Sequence, residues 1–403
     1  MTLSLCMIVK NEAANLARCL SSVEGWVDEM IVLDTGSTDR TVEVAKTLGA
    51  QVHHFDWQND FAAARNASLK YAKGDWILVL DGDETLAEGI IPLLKPVLQG
   101  DEIEGISGDD LLLISFVRQE VNARQSPYSL VSRLFRNHPD IRFCRPYHET
   151  VDDSVAKLIQ REPAWEVISL PKVGICHTGY QPSAIAAQDK FNRAQMIMEA
   201  FLAEHPNDPY ICNKLGALYG QMGNWRKGLE LLTRGVQAAQ ADAMTTYELH
   251  YHLGLAYRHL NQLEQANTHY LKAMQQPILP QLKLGAYINL GGLLKLQGQL
   301  NEAIAIFETA TKIAPDFAIA HYNLGLTHRA RGYLEPAIAA YQKPIRLQPE
   351  YAKAHQNLGA ALFKLGKLPE SRVAFERAID LYQTSNPDEA QRLRQGLKKL
   401  GLT

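Results

Sequence analysis

Trp76-Ile77-Leu78-Val79-Leu80-Asp81-Gly82-Asp83-Glu84 decides the reading of this chain. A short apolar run rich in β-branched and aromatic residues reads as a buried strand. It stops at two carboxylates separated by one glycine. In open α/β sheets ligands gather at the carboxyl ends of the strands. Two acidic side chains there repel each other unless a cation offsets them, and oxygen ligands of that kind suit Mg2+ or Mn2+ bridging to phosphates.

Working outward, Leu3 to Val9 reads as a strand, followed by an amphipathic stretch from Asn11 to Val23. Met30 to Leu33 is a second strand ending in Asp34-Thr35-Gly36-Ser37-Thr38-Asp39, where Ser37 or Thr38 is expected to cap a helix running to Leu48, closed by Gly49. Gln51 to Phe55 is a third strand and Asp60 to Ala72 a third helix. Alternating strands and helices imply a Rossmann-like, mostly parallel α/β sheet. Asp34 and Asp83 then emerge at one edge, where a nucleotide could lie. Asp39 reads more simply as a helix-start residue, Asp34 could tie its own turn, and Glu12 could serve a helix dipole.

Four motifs in order make the chain recognisable: Ser4-Leu5-Cys6-Met7-Ile8-Val9-Lys10-Asn11-Glu12, Val32-Leu33-Asp34-Thr35-Gly36-Ser37-Thr38-Asp39-Arg40-Thr41, Ala63-Ala64-Arg65-Asn66, and Gly74-Asp75-Trp76 into Leu80-Asp81-Gly82-Asp83-Glu84. Over about residues 3 to 180 this resembles the family 2 glycosyltransferases of the GT-A fold. The resemblance implies transfer of a sugar, with inversion, from a nucleoside diphosphate donor (UDP foremost), and a divalent metal on the diphosphate. It implies that Val9, Lys10, Glu12 and Asp34 line the base and ribose. Arg65 would approach the pyrophosphate or sugar, and Asn66 would fix that loop. Asp83 would bind Mn2+ or Mg2+, with Asp81 on the ribose and the metal shell, and His177 in Ile175-Cys176-His177-Thr178-Gly179-Tyr180 would complete the metal's ligands. The acceptor's proton needs a base. Glu149, in Tyr147-His148-Glu149-Thr150-Val151, is the candidate, against the plainer reading of a surface glutamate. The stretch from Asp101 to Val131 is expected on the acceptor side. Arg118, Arg133 and Arg136 nearby could meet phosphate or be solvated. Asp81-Gly82-Asp83-Glu84-Thr85 also matches a haloacid-dehalogenase-type loop, but Asp109-Asp110 and Asp152-Asp153 lack the framing that chemistry needs. A nucleotidyltransferase would show a glycine-rich loop after the first strand, absent from Val9-Lys10-Asn11-Glu12.

The second half differs in kind. Leu215-Gly216, Leu253-Gly254, Leu290-Gly291, Leu324-Gly325 and Leu358-Gly359 recur at spacings of 38, 37, 34 and 34. Turn residues (Gly223, Asn261, Gly298, Gly332, Gly366), a small residue and then Leu232, Tyr270, Phe307, Tyr341 or Phe375 follow each pair. This resembles the tetratricopeptide repeat. The expected division is a catalytic domain over 1–182, a connecting helix over 183–205, five repeats over 206–383 and a capping helix over 384–403. Asn289, Asn323 and Asn357 precede three Leu-Gly pairs and could form a ladder gripping a peptide backbone, although asparagine is ordinary at that place in such repeats.

The formal net charge of −3 gives no reason to invoke nucleic acid. Apolar runs are too short for a spanning helix, and Met1 to Val9 lacks a basic signal-peptide start. Cys6, Cys19, Cys144, Cys176 and Cys212 are scattered without metal-pair spacing and read as reduced thiols. The expectation is a cytoplasmic, metal-dependent glycosyltransferase whose repeats recruit a peptide or protein acceptor. A second copy or the solenoid could complete a short catalytic region, so a homodimer is a further expectation. The alternative is an inactive remnant serving as a repeat-based scaffold.

Overall fold

The computed structural model describes residues 1–121, 126–178, 184–238 and 241–401, with side chains omitted over 184–190. The first elements are β1 (Leu3–Val9), α1 (Ala13–Ser21), β2 (Glu29–Asp34), α2 (Thr41–Thr47), β3 (Gln51–His54), α3 (Phe61–Leu69), β4 (Trp76–Val79) and β5 (Glu84–Leu86). Then come α4 (Ile91–Val97), a small hairpin of β6 (Glu102–Ile103) and β7 (Ile106–Ser107), β8 (Leu111–Glu120), β9 (Tyr128–Arg136), α5 (Asp152–Arg161) and β10 (Glu166–His177). Eight strands form one sheet in the order β3-β2-β1-β4-β9-β8-β10-β5. β1 to β4 are parallel, β9 runs antiparallel between β4 and β8, and β5 is antiparallel to β10.

The period of two in the strands sorts side chains into two cores. Leu5, Met7 and Val9 of β1, with Trp76, Leu78 and Leu80, join Leu16 and Leu20 of α1 on one face. Cys6, Ile77 and Val79 point the other way, to Ala62 of α3 and Val155 and Leu158 of α5. Every residue of β4 is buried, as its apolar run requires. Asp60 caps α3 by accepting from the Ala63 amide at 2.8 Å. The expected cap of α2 is different. Ser37 Oγ accepts from Asn11 N–H (3.0 Å) and Thr38 N–H donates to Asn11 Oδ1 (2.8 Å), tying two strand-end loops together. Asp39 takes over at the helix start, its Oδ1 accepting from Thr41 N–H at 3.0 Å.

After the sheet come α6 (Ala184–Glu204), α7 (Pro209–Gln221) and α8 (Trp225–Gln237). These belong to the same compact unit as the sheet, and the division falls after Ala241 rather than at residue 182. Arg145 accounts for part of this. Its guanidinium pairs with Asp208 at 3.0 Å and with Asp153, and lies 4.9 Å over the Tyr210 ring. Asp208 also caps α7 through the Ile211 amide at 2.8 Å. Arg193 of α6 stacks over Trp57 at 4.7 Å.

A second unit, from Asp242 onward, holds α9 (Ala243–His259), α10 (Leu263–Met274), α11 (Leu284–Leu296), α12 (Leu300–Ile313), α13 (Ala318–Arg331), α14 (Leu334–Leu347), α15 (Ala352–Lys364), α16 (Leu368–Ser385) and α17 (Pro387–Lys399). The Leu-Gly pairs have a steric cause. A Cβ on Gly254 would lie 2.4 Å from the Tyr270 ring, and one on Gly291, Gly325 or Gly359 would lie 2.7, 2.6 or 2.9 Å from Phe307, Tyr341 or Phe375. The aromatic ring of each second helix therefore seats on bare backbone of the first. In the first unit Gly216 meets Leu232 in the same way at 2.7 Å. No helix among the described residues is long and apolar enough to cross a membrane.

Candidate active site

The carboxyl ends of β1, β2 and β4 bring the sequence motifs to one edge. Asp81 and Asp83 follow β4, Glu12 follows β1 and Asp34 ends β2, paired in register with Val9. Arg65 reaches the same place from α3, with 2% of its surface exposed. Its Nη2 donates to Asp81 Oδ1 and its Nε to Glu149 Oε1 at 3.0 Å. Nη1 is buried and without a hydrogen-bond partner among the described residues. Such an orphaned buried donor is uncommon and needs an occupant to satisfy it.

Asp81 is clamped from both sides, since Arg133 Nη2 donates to its Oδ2 at 2.6 Å. Two guanidinium groups hold its carboxyl well below the usual carboxylate range although it is half-buried. Arg133 also reaches Glu84 Oε1 at 3.1 Å, and Arg118 Nη1 reaches the same oxygen at 2.9 Å. Glu84 is fully buried and accepts from the Asp81 amide at 2.9 Å. Arg118 continues to Glu120 at 2.8 Å. Glu120 Oε2 lies 2.6 Å from His177 Nδ1, and His177 Nε2 lies 3.1 Å from Asp83 Oδ2. Alternating charges thus run from Arg65 through Asp81, Arg133, Glu84, Arg118 and Glu120 to His177 and Asp83. Hydrogen bonds to Asp83 and Glu120 push the His177 imidazolium up to about 10.

Glu12 packs on the Asp-Gly-Asp turn. A Cβ on Gly82 would come within 2.8 Å of Glu12 Cγ, so any side chain between the two carboxylates would have to displace Glu12. Burial and the nearby Asp83, Asp81 and Asp39 raise Glu12 above its ordinary range. Asp34 accepts from the Gly36 and Ser37 amides at 3.1 and 3.2 Å, tying the turn as well as ending the strand. Lys10 is exposed beside it.

Three expected roles change. Val9 is buried and its carbonyl accepts from Thr35 at 3.0 Å, so it shapes the strand end and offers no side chain to a ligand. Asn66 uses both ends of its amide on the Phe143 backbone, at 2.9 Å each, which anchors the loop carrying Glu149 and leaves donor contact to others. Asp81, expected in the metal shell, has both oxygens on arginines. No cluster of three or more His, Cys, Asp or Glu side chains able to hold a metal forms among the described residues. What remains is Asp83 with His177, and the Glu120 carboxylate behind the other ring nitrogen matches the partner a metal-bound imidazole uses. That pair fits two positions of a divalent cation. Arg118 and Arg133 are half-buried ion-pair members. Arg136 stacks 4.4 Å over Trp76 and donates to the Leu111 carbonyl at 3.0 Å.

The Asn289 ladder also changes. Asn289, Asn323 and Asn357 donate to the carbonyls of Gly285, Ile319 and Lys353 one turn back, at 2.8, 3.0 and 2.8 Å. Asn289 is buried, and its amide oxygen accepts from Arg258 at 3.1 Å. It has nothing left for a peptide.

Sequence reading missed Glu84 and Glu120 as site members and left Arg133 open between phosphate and solvent. Glu84 adjoins the Asp-Gly-Asp turn, which was the available signal. Arg133 meets Asp81 because β9 inserts between β4 and β8, and Glu120 meets His177 because β10 pairs with β8.

The parallel α/β edge with its Asp-Gly-Asp turn and buried arginine lies within a transferase domain, as comparison with known proteins shows. The glycosyl transferase family 2 model matches residues 4–168, and tetratricopeptide repeat models match 247–276, 291–329, 326–366 and 352–385. A TPR repeat-containing protein of Synechococcus elongatus is 44% identical over 312 residues, covering 77% of this chain and 75% of that protein. The SPbeta prophage-derived glycosyltransferase SunS of Bacillus subtilis is 29% identical over 218 residues, covering 52% of this chain and 47% of SunS, so the match spans about half of that relative. MamA 41-end from Desulfovibrio magneticus RS-1 is 24% identical with a TM-score of 0.40, covering 45% of this chain and 98% of that one. The chain belongs to the family 2 glycosyltransferases and carries C-terminal tetratricopeptide repeats.

Proposed function

We propose that the chain transfers a sugar, with inversion, from a nucleoside diphosphate donor, UDP-linked foremost, to a hydroxyl or thiol of a peptide or protein acceptor presented by the repeats. The observation that carries this reading is Arg65. One buried guanidinium binds Asp81 and Glu149 and keeps Nη1 unsatisfied. A diphosphate oxygen against Nη1 would complete its hydrogen bonds in the fork geometry arginine offers to phosphate.

In this reading Glu12 and Asp34 border the base and ribose, and Arg133 holds Asp81 ionised and fixed. Asp83 and His177 would hold Mn2+ or Mg2+, with the preference toward Mn2+ that mixed imidazole and carboxylate ligation gives. A bound cation would offset the charge that develops on the departing diphosphate. Glu149 is the base. One oxygen accepts from Arg65, and the other has no partner among the described residues, so it is available to an acceptor proton. Acceptor attack on the anomeric carbon breaks the bond to the diphosphate oxygen, and the proton passes to Glu149.

The test is nucleoside diphosphate release from a panel of nucleotide sugars with candidate acceptor peptides. Glu149→Gln should lower turnover by about 10²–10⁴-fold, the usual contribution of a positioned base, with donor affinity retained. Turnover equal to wild type would remove Glu149 from the reading. Absence of any donor binding by wild type would favour the repeat-based scaffold instead.

A further inference from the structure

In the second unit the first helices of successive repeats pack on one another, α9 on α11, α11 on α13 and α13 on α15. They form one continuous inner wall, the face on which solenoids of this kind are concave. Charge is segregated between the two layers. The wall helices carry Arg258, Lys295, Arg329, Arg331, Lys353 and Lys364 against one carboxylate, Glu248. The outer helices α10, α12, α14 and α16 carry seven carboxylates against six lysines and arginines.

Three of the wall cations are in register. Arg258, Lys295 and Arg329 each stand five residues after the leucine of a Leu-Gly pair, in three successive repeats. None of them has an ion-pair partner among the described residues. Burial, followed by repulsion from Arg329 and Arg258, holds the Lys295 ammonium below its ordinary range. One turn before Lys295, Gly292 has nothing within 4 Å of where a Cβ would stand, which leaves room for another main chain.

We propose that this wall binds an extended acidic peptide segment whose carboxylates meet Arg258, Lys295 and Arg329 in turn. Like charges in register and without internal counter-ions, Lys295 among them partly buried, are offset most simply by a ligand that repeats the opposite charge. A peptide is favoured over nucleic acid because two of the wall's aromatic rings are already engaged: Tyr251 is buried, and the Tyr322 ring packs between Tyr341 and Tyr351. The proposal rests on the reading of the repeats as a partner surface. Its test measures binding alone, so failure here and failure of sugar transfer are distinguishable.

The experiment is fluorescence anisotropy of the full chain with a labelled Glu-Ser alternating 12-mer, a Lys-Ser 12-mer and a single-stranded 12-nucleotide DNA. Lys295→Gln with Arg329→Gln should weaken the acidic peptide at least tenfold and flatten the fall of affinity with salt. A triple change on the outer helices, Lys272→Gln, Lys312→Gln and Arg346→Gln, should leave affinity within twofold. Because the wall changes remove like-charge repulsion, the thermal midpoint of the double variant should hold or rise, which separates lost binding from lost folding. Equal loss in the outer triple, no acidic-peptide binding by wild type, or tighter DNA than peptide binding would overturn the proposal.

Discussion

Arg133 is where a single residue counts most. With only 11% of its side chain exposed, it pairs with both Asp81 and Glu84, and stands between two carboxylates that would otherwise face each other. Removing one partner of a buried ion pair leaves an uncompensated charge and costs about 3–5 kcal/mol. Arg133→Met should therefore lower unfolding stability by about that amount and abolish nucleotide binding, read by urea denaturation and calorimetry. Gly82 makes a complementary case, because Glu12 occupies the space a side chain would need. Gly82→Ala should weaken donor binding with little loss of stability, since the Glu12 side chain can swing outward.

At the scale of elements, the repeat glycines separate two physical effects. Gly254→Ala would drive a methyl into the Tyr270 ring and should cost about 1–3 kcal/mol by overpacking. Gly292→Ala meets nothing and should gain up to about 1 kcal/mol from helix propensity. Chemical denaturation of both variants checks the contrast. The α9–α10 pair adds a pH effect. His250 Nδ1 lies 3.0 Å from His269 Nδ1. Burial, His250 and Lys272 push His269 down to about 4, against an unfolded value near 6.5. A depressed value means the neutral ring is favoured by folding, so its stability is complete above about pH 6.5 and is lost as pH falls toward 4. His269→Gln should flatten that part of the thermal midpoint against pH profile.

These elements also show what was legible in the chain. The strand ending at Asp81, the helix capped by Asp60 and the glycine–aromatic pairs could be read because each rests on local periodicity or a short spacing. The clamp on Asp81 could not. Arg133 and Arg118 lie on strands whose position depends on sheet order, and the antiparallel insertion of β9 leaves no local signature. The asparagine ladder misled for a related reason. An asparagine on a helix can satisfy itself on the carbonyl four residues back, and spacing does not reveal which partner it takes.

At the scale of the molecule, the sheet shares its compact unit with α6, α7 and α8. Arg145 with Asp208 and Arg193 with Trp57 join these helices to the loops around Glu149. A fragment ending at residue 241 should fold cooperatively, whereas one ending at residue 182 should be markedly less stable, as circular dichroism melts would show. The central claim is that the edge formed by Asp81, Asp83 and Arg65 binds a nucleoside diphosphate. Calorimetric titration of UDP, with and without Mn2+, against wild type and Asp83→Asn tests it most directly. Metal-dependent binding in wild type that is lost in Asp83→Asn is the predicted result. Equal binding by both proteins, or no binding of UDP or any other nucleoside diphosphate by wild type, would contradict it.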